Sequence, residues 1–241
     1  MTDAIAEHYS GFGTTRVEPL SRMQGFVGQA MINSWKNVPH VTHHDLVDIT
    51  HAEHVRKSLN ERGQKISLLP LLMKAVCIAL KALPKFNSSL SEDGKQLVFR
   101  EYCNIGVATA VADGLVVPVV RNCENLSVRE LGDKVSELAA LARGKGVPYH
   151  ALQGGGFTIS SLGGLGGTYF TPLINTPEVA ILGVTRTQEI PSRGEQGQIE
   201  WRTFLPLSLS YDHRVINGAD AAQFCQAIGK ILAEESEQLL S

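Results

Sequence analysis

Residues 104–120 read NIGVATAVADGLVVPVV. Two apolar, β-branched runs, 104–111 and 115–120, flank Asp113-Gly114, a dipeptide that tolerates the positive φ angles of a tight hairpin turn. A hairpin pairs antiparallel neighbours, whereas a regularly alternating strand–helix chain gives parallel ones. The fold class that follows is α/β, a single sandwich with a mixed sheet flanked by helices rather than a doubly wound parallel sheet.

The flanking elements fit that class. Ser127-x-x-Glu130 is a capping box, and Val128, Leu131, Val135, Leu138 and Ala142 then form one helical stripe that Gly144 and Gly146 end. Residues 156–161 and 178–185 read as buried strands. In 205–211, Leu205, Leu207, Leu209 and Tyr211 alternate with Pro206, Ser208 and Ser210, which predicts a half-buried strand. Phe224, Ala227, Ile228, Ile231 and Leu232 give a final helix. Upstream, residues 68–83 are apolar nearly all round and predict a buried helix. Thr50-x-x-Glu53 reads as a second capping box opening a helix that ends at Gly63, and residues 40–49 read as extended. Met23, Phe26, Val27, Ala30, Met31 and Trp35 have helical spacing, interrupted before Pro39. Residues 1–20, with Gly11, Gly13 and Pro19, read as an extended arm ahead of one domain over 21–241.

At 241 residues, 43% of them hydrophobic, the chain can bury a sizeable core. A net charge of −2, without a cluster of Lys and Arg, argues against nucleic acid as the main partner. No apolar run approaches the roughly 20 residues that span a bilayer. No signal peptide is expected, because residues 1–10 hold Asp3 and Glu7 and no apolar stretch. Cys77, Cys103, Cys123 and Cys225 are widely spaced, as reduced thiols of a cytoplasmic protein would be.

Three groups of residues could carry chemistry. His213 follows the strand 205–211 directly, between Asp212 and Arg214 and ahead of Asn217-Gly218. A strand-end histidine in a polar cluster can exchange protons near neutrality, and a surface histidine in a charged turn fits the local pattern equally well. Ser160-Ser161 ends a strand and precedes Leu162-Gly163-Gly164-Leu165-Gly166-Gly167. Glycines there allow close backbone approach to a ligand. The spacing matches neither a phosphate loop nor a serine-hydrolase elbow, and alone it fits a plain glycine-rich turn. His40, His43, His44, His51 and His54 are crowded. Neighbours on a strand face opposite ways, so His43 and His44 cannot share an ion, and no metal site is expected.

Taken together, Ser210–Gly218 (SYDHRVING), Gly155–Gly167 (GGFTISSLGGLGG) and Phe170–Gly183 (FTPLINTPEVAILG) resemble the catalytic domain of the dihydrolipoamide acyltransferases, the core subunits of 2-oxo-acid dehydrogenase complexes. Pro39–Thr42 (PHVT) and Asn104–Val107 (NIGV) fit as well, and the likeness runs from about Pro19 to the end. Ser21–Gln24, GGFTISSLGG and Asp220 are most similar to the bacterial acetyltransferases of the pyruvate dehydrogenase complex, ahead of the succinyl and branched-chain relatives. The resemblance implies a chloramphenicol-acetyltransferase-like sandwich. It implies trimers with active sites between subunits, built into a larger, octahedral core that serves pyruvate dehydrogenase and dihydrolipoamide dehydrogenase subunits through regions absent from this chain. Coenzyme A is then a substrate, and the lipoyl group arrives on a lipoyl domain outside this segment.

By the same resemblance, His213 is the general base and Ser161, from a neighbouring subunit, the donor to the oxyanion. Most relatives carry Asp four residues after the histidine where this chain has Asn217, which can orient a partner but supplies no charge. Asp212 and Arg214 are expected to set the loop through ion pairs. For coenzyme A the candidates are Arg56, as a cation for phosphate, with Ser89 and Asn104 as polar contacts. The final Glu237–Ser241 tail, with Leu239 and Leu240, is expected to offer apolar contacts between trimers. Two rival readings are a structural core protein without catalysis and an antibiotic acetyltransferase of the same fold.

Overall fold

The structure, a computed structural model, describes residues 4–194 and 196–240. The first three residues of the expected arm and the last residue of the tail lie outside them. The strands are β1 (His40–Asp48), β2 (Ser88–Leu90), β3 (Leu97–Phe99), β4 (Ile105–Val111), β5 (Gly114–Val116), β6 (Val119–Val120), β7 (Phe157–Ser161), β8 (Ala180–Val184), β9 (Gln188–Arg193) and β10 (Ile199–Asp212). The helices are α1 (Ala4–Ser10), α2 (Arg22–Asn37), α3 (Thr50–Glu61), α4 (Leu68–Ala82), α5 (Val128–Arg143), α6 (Gly218–Glu234) and α7 (Ser236–Leu240). The main sheet runs β1-β10-β8-β7-β4-β5, with β6 on β4 and β9 on β10, while β2 and β3 form a separate hairpin. It is mixed as expected: β4–β7 and β7–β8 are parallel and the other pairs antiparallel. The hairpin around Asp113-Gly114 forms, with Val111 opposite Gly114 and φ at Gly114 of 143°.

One face of the sheet carries the core. Leu205, Leu207, Leu209 and Tyr211 of β10 point into it, with α3 and α6 packed on the strand. Phe86 stacks on Phe224 with centroids 4.2 Å apart. Burying side chains of this size contributes about 1.5–3 kcal/mol each. The expectation of a half-buried β10 is corrected, because residues 205–212 are buried on both faces. Ser208 and Ser210 do not meet water. Ser210 Oγ shares a 2.8 Å hydrogen bond with Thr42 Oγ1, and Ser208 Oγ lies 3.0 Å from His44 Nδ1. The segment between β7 and β8 folds over this face: Phe170 lies where a side chain on Gly183 would stand, and Ile174 is buried with Val38 and Ile181. The alternation records polarity, and polarity can be satisfied inside the protein.

Other expectations need revision. The helix at Thr50 forms without the expected capping box, its N-cap being Ile49. Thr50 Oγ1 instead donates to Asp48 Oδ1 at 2.6 Å and accepts the Thr203 N–H, while Glu53 turns inward to Arg56. The box at Ser127 forms as read, and the structure adds one at Ser21 with Gln24 that the sequence reading did not name. The arm is not wholly extended, since it opens with α1. The helical stripe of α2 is split: Val27, Ala30 and Met31 are half-buried beside the buried Ser34, whereas Phe26 is 76% and Trp35 66% exposed. In the tail, Leu240 is buried and Leu239 packs on the core, so these leucines close their own chain's core instead of offering free apolar contacts.

Candidate active site

His213 sits one residue past β10, where the chain leaves the sheet, and its frame is stiff. Its backbone N–H donates to Pro39 O (3.0 Å), and the Asp212 N–H donates to Val179 O (2.8 Å). Asp212, 2% exposed, receives the Arg214 guanidinium through Nε (2.9 and 3.1 Å) and Nη2 (2.6 Å), and also the Arg214 backbone N–H (3.0 Å). Asp212 and Arg214 thus fix the loop, as the sequence suggested, and Asp212 holds the guanidinium above its ordinary pKa. The imidazole packs at a tilt on the buried Tyr211 ring, with centroids 5.8 Å apart. It is exposed, and among the described residues its ring nitrogens make no hydrogen bond. Both are therefore available to a ligand.

Asn217 is the N-cap of α6. Its Oδ1 accepts the Asp220 N–H at 2.9 Å while Asp220 Oδ2 accepts the Asn217 N–H at 3.3 Å. With its carbonyl oxygen used in the cap, Asn217 has its amide N–H groups left to donate. The spacing Asn-x-x-Asp was a legible capping signal that the turn reading at Asn217-Gly218 passed over.

Ser161 lies at the far end of the same strands. Ser161 is opposite Val184, and Val184 is opposite Leu207. His213 lies six residues beyond Leu207 and two strands across, so the two side chains of one chain are roughly 20 Å apart at about 3.3 Å per residue and 4.8 Å per strand. The Ser161 hydroxyl accepts the Gly163 N–H at 3.5 Å, leaving its proton free to donate. It lines a cleft of about 380 Å³ together with Arg56, Gly164, Thr185 and Leu205.

The three residues suggested for coenzyme A lie in different settings. Arg56 shares the Ser161 cleft, but its guanidinium is held by Glu53 at 2.7 and 2.8 Å and by Ile66 O at 2.9 Å. Glu53 thereby raises its pKa and offsets its charge. The Asn104 amide donates to Gly154 O (2.8 Å) and accepts the Asn122 N–H (2.9 Å), so both its ends are engaged in the fold. Ser89 donates to Pro177 O and accepts from Arg100.

One buried polar group escaped the sequence reading. Glu178, directly ahead of the Val179 carbonyl that holds Asp212, is fully buried, and burial pushes its carboxyl up to about 7. Around it Asn87 Oδ1, Arg100 Nη1, Thr158 Oγ1 and Glu178 Oε2 are buried without partners. Gly155 and Gly156 press against this group: a Cβ on Gly156 would overlap Asn87 Oδ1, and one on Gly155 would lie 2.9 Å from Glu178 Oε1. These two glycines accommodate buried side chains of their own chain.

The mixed sheet with helices on its core face is the fold of chloramphenicol acetyltransferase, which superposes with a TM-score of 0.58 at 16% identity. That likeness concerns the fold. Residues 12–240 match the family model of the 2-oxoacid dehydrogenases acyltransferase (catalytic domain), and the chain belongs to that family. It is 46% identical over 236 residues, 96% of its length, to the dihydrolipoyllysine-residue acetyltransferase component of the pyruvate dehydrogenase complex of Cupriavidus necator. It is likewise 46% identical over 230 residues to that component from Azotobacter vinelandii. The chain spans 42% and 36% of those relatives' lengths. Among solved structures, the Azotobacter vinelandii dihydrolipoamide acetyltransferase superposes with a TM-score of 0.90 at 43% identity, each chain covered to 97%. The cubic core of a pyruvate dehydrogenase multienzyme complex superposes equally well, at 44% identity.

Proposed function

We propose that this chain transfers an acetyl group between the thioester of dihydrolipoamide and coenzyme A, as the core acyltransferase of a pyruvate dehydrogenase complex. Succinyl and branched-chain transfer are the alternatives, and the acetyltransferases among its relatives favour acetyl. The observation that carries the reading is the separation of His213 from Ser161 at opposite ends of β10, β8 and β7. A base and an oxyanion donor that far apart in one chain meet only if a second copy supplies one of them. Exposed apolar side chains on α2 and the arm, Phe26, Trp35 and Phe12, support such self-association.

In the reaction, His213 removes the proton of the coenzyme A thiol. That thiol has a pKa near 8.5, so only a few per cent is thiolate at neutral pH. The sulfur forms a bond to the acyl carbon, and the Ser161 hydroxyl of a neighbouring copy donates to the resulting oxyanion, an interaction worth roughly 3 kcal/mol. Collapse breaks the bond to the dihydrolipoamide sulfur, which takes the proton back from His213. The Azotobacter vinelandii enzyme was solved in work on the role of a serine, a histidine and an asparagine in its catalytic mechanism. Those three stand at the spacing of Ser161, His213 and Asn217. The asparagine in place of the expected Asp is therefore shared with that relative, and we assign Asn217 an orienting role, framing the chain after His213 through its cap on α6. Arg56 shares the Ser161 cleft with Arg186, and either could meet a coenzyme A phosphate; Ser89 and Asn104 would contribute only by exchanging their present partners. Four free cysteines fit a reducing compartment, and we assign the chain to the cytoplasm.

Mixing two inactive variants tests the shared site. His213→Ala and Ser161→Ala chains, unfolded and refolded together, should regain activity in about a quarter of sites, those joining an intact His213 to an intact Ser161 from another chain. Acetyl transfer from acetyl-dihydrolipoamide to coenzyme A is the readout. No recovery in co-assembled particles would place both residues of a working site on one chain and overturn the reading.

A further inference from the structure

His43 and Asp45 share one face of β1, beneath α6, and Cys225 projects toward them from that helix. One ligand atom of each residue lies within 4.8 Å of the other two. Cys225 is fully buried, while His43 and Asp45 are half-buried and reach solvent. Asp45 Oδ1 accepts only the adjacent Leu46 N–H, at 2.8 Å. Among the described residues no cation pairs with Asp45, and neither the His43 ring nor the Cys225 thiol makes a hydrogen bond. The three side chains thus bring an imidazole, a carboxylate and a thiol to one point on the edge of the core. A divalent cation fits the arrangement: imidazole, carboxylate and thiolate together carry two negative charges, and the thiol proton leaves to solvent.

We propose that His43, Asp45 and Cys225 form a three-ligand site for a zinc-class divalent cation that ties β1 to α6. Nitrogen, oxygen and sulfur donors suit zinc and disfavour magnesium or calcium, which take oxygen alone. Bonds of about 2.0–2.3 Å put ligands roughly 3.3–3.7 Å apart around a tetrahedral ion, so the present spacing closes by about an ångström. The fourth position opens to solvent on the half-buried side. Here the chain offers the other side of β1 from His44, whose Nδ1 is turned to Ser208. The ion is separate from the proposed chemistry. Cys225 lies about 12 Å along α6 from the Asn217 cap, at 1.5 Å per residue, and His43 is three residues past His40 at the start of β1. The ion would clamp the two elements whose near ends flank His213, and its effect is on stability and not on the transfer step.

Cobalt(II) is the probe. The full chain, stripped with a chelator, should bind one equivalent, with the near-ultraviolet thiolate-to-cobalt band and the visible bands of a tetrahedral ion, both abolished by zinc. Cys225→Ser should lose the near-ultraviolet band. His43→Ala and Asp45→Asn, at half-exposed positions, should bind at least about tenfold more weakly. Cys77→Ser should retain the full signal, which separates this site from the other thiols. Zinc should raise the thermal midpoint of the wild type and leave that of Asp45→Asn unchanged. Absence of the near-ultraviolet band at one equivalent, or its persistence in Cys225→Ser, overturns the proposal whether or not the chain transfers acetyl groups.

Discussion

The His213 end and the Ser161 end of the same three strands are built in opposite ways. At the His213 end every approach is tied down: Pro39 and Val179 hold the backbone, Arg214 clamps Asp212, and Asn217 caps the helix that follows. At the Ser161 end, β7 runs into a loop with glycines at 163, 164, 166 and 167, two of them at φ of 116° and 87°, and one long contact from Gly163 steadies the hydroxyl. A base that removes and returns a proton benefits from a fixed frame. A donor that meets a group brought by another copy needs a free proton and space. The difference fits two half-sites, one rigid and one adaptable, that are completed only across copies.

Removing the working group at the rigid end should have the largest effect. His213→Ala is expected to lower acetyl transfer by about 10²–10⁴-fold, with particle mass unchanged in light scattering; near-normal turnover would take the base away from His213. At the adaptable end, Ser161→Ala should lower kcat by about 10²–10³-fold with little change in KM. An effect confined to KM would mean that Ser161 binds substrate and transition state alike, and the contrast between the two ends would lose its chemical meaning.

The buried group behind the rigid end gives a smaller effect with a defined sign. Folding raises the Glu178 carboxyl from 4.5 to about 7, so the folded chain holds that proton more tightly than the unfolded one. Its contribution to stability is complete below about pH 4.5 and declines as the pH rises to about 7, by roughly 3 kcal/mol. Glu178→Gln stays neutral throughout. Urea unfolding should therefore favour the variant over wild type more at pH 8 than at pH 5, and an equal difference at both would show that Glu178 does not titrate in this window.

What was legible in the sequence was mostly local. The Asp113-Gly114 turn, the Ser127 box and the apolar run of α4 each depend on neighbours a few residues away, and each folds as read. Readings failed where distant residues decide. The serines of β10 look solvent-facing until Thr42, His44 and Phe170 cover them, and Thr50 and Glu53 look like a cap until Asp48 and Arg56 claim them. The site divides in the same way. His213 and Ser161 stand out by motif, but their separation is written in strand register, and Glu178 gains its environment from Asn87, Arg100 and Thr158 on other elements.

Asn217 offers the finest test of the rigid end, because it separates framing from chemistry. Its Oδ1 caps α6 and its amide N–H groups remain free. Asn217→Asp keeps an oxygen on the Asp220 N–H, and it loses the donors while placing a carboxylate near Asp220. Asn217→Ala loses both functions, and the missing cap should cost about 1 kcal/mol. If Asn217 frames the loop, Asn217→Asp should retain most of the activity and Asn217→Ala should lose stability first, with a modest fall in kcat. If the amide itself orients His213 or substrate through its N–H groups, the two variants should lose kcat alike although only one loses the cap. Thermal midpoints and kcat measured on both variants distinguish these outcomes. Equal losses of kcat with unequal midpoints would make Asn217 part of the chemistry and show that the stiffness around His213 is maintained without it.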